Sequence, residues 1–195
     1  MTSLRRLSGV AVLLLWAWAW TTTAAADAPL TLQRLSHLLS GVDRAEARFT
    51  ETRTMALLDR PLELQGTLLF RAPDYVRKDI AAPEFDDFEI RGDRLYIEGE
   101  DGTRTVSLDR HPALRAFADA LRGTLNGELE AMQESFRLDL SGAEDAWVLA
   151  LTPRAGRAAE HIERIVVTGN GAQLRSMMTL EADGDQSLMN IQPVP

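Results

Sequence analysis

The sequence predicts a mainly β domain with some helix: about ten antiparallel strands in a barrel or sandwich, with two or three helices. Three observations predict it. After residue 44, apolar and polar residues alternate over most of the chain, the period of half-buried strands. Turn pairs (Gly92-Asp93, Asp101-Gly102, Ser141-Gly142, Asn170-Gly171, Asp183-Gly184) punctuate it at short spacing. The period becomes helical only near residues 32–42 and 111–132.

The elements follow in order. Leu32, Leu35, Leu38, Leu39 and Val42 stand at helical spacing, and Gly41 can end that helix. From Ala45 the period is two, through Ala47, Phe49 and on to Thr54; Leu62 to Phe70 repeats the pattern. Pro73-Asp74 turns the chain into Tyr75–Ile80. Phe85–Arg91 and Arg94–Glu98 form a hairpin, followed by Thr103–Leu108. His111–Leu121 is a helix with Pro112 in its first turn, and Leu125–Met132, bounded by Gly123 and Gly127, is a short second one. Phe136–Leu140, Trp147–Leu151, Ile162–Thr168, Leu174–Leu180 and Ser187–Ile191 are the remaining strands. Without repeats or linkers, residues 27–195 read as a single domain.

Residues 1–26 read as a cleavable secretory signal peptide. Arg5-Arg6 precede an apolar run, Val10 to Trp20, and Ala24-Ala25-Ala26 supply small residues for cleavage. That run is 11 residues, where a membrane span needs about 20. Removal leaves 19 basic against 29 acidic side chains, a net charge of −10. Such acidity argues against nucleic acid as a partner. The 195 residues contain no Cys, which excludes disulfides, thiolate nucleophiles and Cys-ligated metals. An exported, Cys-free, acidic domain is expected in the periplasm.

No catalytic constellation emerges, so the protein is expected not to be an enzyme and to need no cofactor. His37, His111 and His161 are scattered, none at metal-ligand spacing. Asp86-Asp87 with Glu84 is an acidic cluster whose neighbouring strand residues point to opposite faces. Asp183-Gly184-Asp185 lacks the other ligands of a calcium loop. Ser141-Gly142 has none of the context of a nucleophile elbow.

Several stretches, taken in order, resemble the LolA family of periplasmic lipoprotein carriers. They are Ala47-Arg48-Phe49-Thr50-Glu51, Gly66 through Pro73, Pro83, the hairpin Phe88 through Tyr96, and Trp147 through Arg154 with its Leu151-Thr152-Pro153. Ala72 stands where the family has Arg before the first Pro, and Lys78 where a Trp is common. Leu58 to Leu62 and Arg122 to Phe136 look closer to a divergent branch that accompanies a membrane exporter.

The resemblance implies a half-open antiparallel β-barrel lidded by helices, carrying an acylated lipoprotein or amphiphilic lipid from an inner-membrane donor or exporter to an outer-membrane acceptor, as a monomer. The physics agrees: each exposed methylene costs about 0.8 kcal/mol in water, so a carrier needs an apolar hollow. Its walls would be Leu68, Phe70, Ile80, Ile90, Leu95, Ile97, Leu138, Leu140, Leu149, Met177 and Leu180. Its lid would be Leu35, Leu38, Leu114, Phe117 and Leu121. The same alternation more often builds a filled core than a cavity, and then an interaction or scaffold module; only the resemblance moves the set toward a lipid cavity. Arg71 and Lys78, the only lysine, are candidates for a headgroup or partner contact, or else charges guarding a strand edge.

Overall fold

The computed structural model describes residues 29–83, 86–99 and 102–194. The expected signal peptide, Glu84, Phe85 and Asp101 lie outside the described residues. In chain order the elements are α1 (Leu32–Leu39), β1 (Arg44–Thr54), β2 (Leu62–Arg71), β3 (Tyr75–Ala82), β4 (Asp86–Arg91), β5 (Arg94–Gly99), β6 (Gly102–Ser107), a 3-10 turn (Leu108–Arg110), α2 (Pro112–Leu125), α3 (Leu129–Met132), β7 (Phe136–Ala143), β8 (Ala146–Pro153), β9 (Ile162–Asn170), β10 (Gln173–Glu181) and β11 (Gln186–Pro193).

All eleven strands form one antiparallel sheet, ordered β6-β5-β4-β3-β2-β1-β11-β10-β9-β8-β7. The two halves, each a meander, join where β1 pairs with the last strand. β6 and β7 are free edges, so the barrel is half-open and does not close. Register sorts side chains into two faces. Ala47, Leu68, Lys78, Phe88 and Ile97 form one row on the inner face. Phe49, Gly66 and Ile80 form the next. Gly66 is required there: a Cβ would fall 1.8 Å from the Asp79 carbonyl oxygen and 2.9 Å from the Phe49 ring.

The helices cover the inner face. Thr31 caps α1, its hydroxyl accepting from the Arg34 N–H at 3.1 Å, and Leu35 and Leu39 are buried. The Ser36 hydroxyl donates to the Gly127 carbonyl, joining α1 to the turn after α2. The C-terminal end of α2 is clamped to the sheet rim. Arg122 donates to the Gly92 carbonyl and the Asn126 amide to the Pro73 carbonyl, each at 2.7 Å.

Two helix boundaries differ from expectation. Gly123 lies inside α2, because Met132 of α3 packs where its Cβ would be, the sulfur 2.4 Å from that position. The chain breaks instead at Gly127, with φ of +69°. That shortens α3 to one turn.

Candidate functional site: an apolar cavity under α2

β1 turns Ala45 and Ala47 inward, opposite Phe70 and Leu68 of β2. Alanine beside Leu and Phe leaves volume unfilled. The result is a cavity of about 370 Å³ between β1, β2, β11 and the C-terminal end of α2. Leu68, Phe70, Val76, Leu174 and Ile191 form its walls, and Leu121 and Leu125 its roof. Val42, Arg44, Gln173 and Val194 also line it, at the end where α1 enters β1 and β9 turns into β10. Its size falls in the range of small-ligand pockets, and its lining is mostly apolar.

Of the expected wall and lid residues, Leu68, Phe70 and Leu121 line this cavity. Leu35, Ile80, Ile90, Leu95, Leu149 and Met177 are buried in the packed remainder of the core. Ile97, Leu114, Phe117, Leu138 and Leu140 are half-buried against it, and Leu38 is half-buried on α1. Leu180 is placed differently. It pairs with Arg164 and Gln186, while Met177 and Thr179 take the inward positions, so Leu180 lies on the outer face. Ala45, Ala47, Val76, Leu125, Leu174 and Ile191 were not among the expected residues. The signal that could have found the hollow is the pair of small inward residues on β1.

Lys78 does point inward, as one expectation had it, but not as a free ammonium. It pairs with Glu51, which is 2% exposed, and its ammonium lies 4.8 Å from the Phe49 ring centroid. Glu51 also accepts from Arg53 Nε and from the Ser187 hydroxyl, both at 2.7 Å. Burial would raise the Glu51 carboxyl, but the charges of Lys78 and Arg53 outweigh it and hold it below its ordinary value. Burial lowers Lys78 by more than Glu51 restores. Arg71 is exposed on the outer face, its guanidinium 5.4 Å from the Tyr75 ring centroid.

The outer face holds a second buried carboxylate, Asp87, 2.5 Å from Arg77, with its Oδ1 unpartnered among the described residues. Desolvation first, then the adjacent Asp79 charge, pushes it up to about 6 against the pull of Arg77. A carboxyl raised on folding stabilises at low pH, and that contribution is lost as pH rises through about 6. Asp87→Asn is therefore expected to flatten a fall in stability between pH 4 and 7, on the order of 1–3 kcal/mol. Urea denaturation at both ends of that range measures it; an unchanged slope would refute it.

An open single sheet with helices over its inner face and an apolar hollow beneath them is the framework of a binding or carrier-type module. The chain belongs to the family described as outer membrane lipoprotein carrier protein LolA-like, whose profile matches residues 20–191. No curated protein sequence matches it significantly. Among solved structures it is similar to a LolA superfamily protein from Nitrosomonas europaea, with 9% identity, 84% of this chain and 92% of that one covered, and a TM-score of 0.43. A DUF1329 family protein from Desulfovibrio piger gives 11% identity, 83% and 88% coverage, and a TM-score of 0.46. The Pseudomonas aeruginosa MucA/MucB complex gives 14%, 82% and 55%, and 0.43.

Proposed function

We propose that the protein is a periplasmic carrier, exported by a leader over residues 1–26, that shelters the apolar part of a lipoprotein or amphiphilic lipid between an inner-membrane donor and an outer-membrane acceptor. The observation that carries this reading is the cavity of about 370 Å³ walled by Leu68, Phe70, Val76 and Ile191. The mechanism is reversible partition. A hydrocarbon tail leaves the donor because the hollow removes it from water, and leaves the carrier when an acceptor binds it more tightly. A longer tail needs more room. Release of the Arg122–Gly92 and Asn126–Pro73 hydrogen bonds would let the end of α2 lift from the rim. No covalent step is involved.

Titration of residues 27–195 with a fluorescent fatty acid tests this. Saturable uptake is expected. Ala45→Leu adds three carbons inside the hollow and displaces about as many methylenes, so affinity should fall by roughly 2 kcal/mol, about thirtyfold. Leu180→Asp, on the outer face, should leave it unchanged. A folded wild-type protein with no saturable uptake would end the carrier reading and leave an interaction module with a filled core.

A further inference from the structure

We infer that the free edge of β7 pairs with the same edge of a second copy of this chain, antiparallel about Leu138, making a two-fold dimer in place of the monomer that the resemblance implied. The inference goes beyond the carrier reading and does not depend on it. The two edges of the sheet are built differently. β6 is Gly, Thr and Ser over most of its length, and it turns Arg104 to the inner face opposite Ile97. An inward-facing charge on a polar strand keeps an edge unpaired. β7 carries no such guard. Phe136, Leu138 and Leu140 take its inner positions, opposite Pro153, Leu151 and Leu149. Leu138 and Leu140 are only half-buried there.

The same three residues hold the unused backbone groups. The Ser135 carbonyl accepts from the Arg154 N–H at 2.9 Å, so Arg137, Asp139 and Ser141, at the same parity, turn their backbone groups to β8. Pro153, with no N–H to give, accordingly stands opposite Phe136 at a non-hydrogen-bonded position. The N–H and C=O groups of Phe136, Leu138 and Leu140 therefore aim off the sheet, and no turn among the described residues bonds to them.

The outer face selects the occupant. Arg137 and Asp139 stand there 3.6 Å apart, 63% and 67% exposed, so little of either charge is used within the chain. Antiparallel pairing centred on Leu138 sets Arg137 of each copy opposite Asp139 of the other, in the close, non-hydrogen-bonded positions. Moving the axis one residue either way sets Arg137 against Arg137 or Asp139 against Asp139. The strand is thus complementary to itself in one register. In that register the two Leu138 side chains meet, each Phe136 meets Leu140 of the other copy, and about six backbone hydrogen bonds form. Of the carboxylates flanking the strand, Glu144 is engaged by Arg34, Glu134 falls opposite Gly142, and Asp145 sits in the turn beyond the paired span. Both copies are acidic overall, but physiological salt screens that repulsion beyond about 8 Å. The cavity lies four strands away, among β1, β2 and β11, so the pairing does not reach it.

Sedimentation velocity of residues 27–195, the span holding the whole described fold, tests this at physiological salt from micromolar to near-millimolar concentration. A dimer is expected. Arg137→Asp turns both cross-strand attractions into repulsions and should weaken dimerisation about tenfold or more, and Asp139→Arg should do the same. An equal mixture of these two variants should restore association, as should Arg137→Asp/Asp139→Arg in one chain. Leu138→Pro removes an N–H that serves no bond within the sheet, and should abolish pairing. On β6 the Leu108 N–H donates to the Asp93 carbonyl, so by the same parity the Thr105 N–H aims off that edge, and Thr105→Pro should leave the dimer intact. Circular dichroism checks that each variant is folded. Fatty-acid uptake by Arg137→Asp should match wild type, which keeps failure of the dimer distinct from failure of the carrier reading. A wild-type monomer throughout would overturn the inference and leave the edge to an extended segment of another protein. A dimer indifferent to Arg137→Asp, or a mixture that fails to restore association, would overturn it too.

Discussion

Lys78→Met is expected to lower the unfolding free energy by about 3–5 kcal/mol, read from urea denaturation at pH 7. The substitution keeps the aliphatic stem over Phe49 and removes the ammonium that Glu51 faces. Glu51 retains Arg53 and Ser187, each at 2.7 Å, which places the loss toward the lower end. Lys78→Met/Glu51→Leu should recover most of it, because two charges leave a dry site together and their desolvation cost goes with them. The pH dependence separates the partners. The lowered Glu51 carboxyl contributes stability above the unfolded carboxylate pKa, and that contribution is lost as pH falls through the folded value. Lys78 is lowered as well, so its burial opposes folding at neutral pH and the opposition fades as pH rises through the lowered value. In Glu51→Leu the attraction that holds the ammonium is gone. That variant should therefore gain stability from about pH 7 to 10 more steeply than wild type does. Parallel slopes would sink this account of the pair.

Much of the sheet was legible because its cause is local. The two-residue period in Ala45 to Thr54 and Leu62 to Phe70, and turns such as Gly92-Asp93 and Asn170-Gly171, need only neighbours along the chain. What depends on strand order was not legible. Glu51 finds Lys78 two strands away and Ser187 on the last strand, and nothing in the sequence sets β11 beside β1. The cavity was read as a set of large residues, whereas Ala45 and Ala47 create it by what they leave empty. Met177 and Leu180 are three residues apart, so a regular strand cannot turn both inward, and parity alone argued against pairing them on one face. Gly123 was read as a break because a glycine's packing partner, here Met132, is invisible without the fold.

Trp147→Ala is expected to cost about 3–5 kcal/mol. Trp147 is 1% exposed, and it lies opposite Gly142 on β7 and Gly169 on β9. The indole rests on Gly169: a Cβ there would fall 2.1 Å from ring atom Cζ2. β9 thus supplies glycine where the ring needs room, whereas Gly142 answers to its backbone, with φ of +92° and a Cβ position 2.1 Å from the Ala146 carbonyl oxygen; alanine at 147 would leave a hollow that no neighbour is shaped to fill. The indole N–H donates to the Gly171 carbonyl at 2.9 Å, so Trp147→Phe should cost less, about 1–2 kcal/mol, with the ring kept and the hydrogen bond lost. Gly169→Ala should cost as much as the larger of these, because the backbone Gln173 oxygen, 2.7 Å from that Cβ, cannot move aside. The effect reaches the cavity through register: Leu174, one of its walls, pairs with Gly169. Fatty-acid affinity should accordingly fall in Trp147→Ala measured where the variant is still folded, and stay near wild type in Trp147→Phe. Circular dichroism during urea unfolding gives the stabilities. A loss below about 1 kcal/mol for Trp147→Ala would mean that the strands around the ring collapse onto the vacated space, and that this wall of the cavity is softer than the fit of the ring on Gly169 implies.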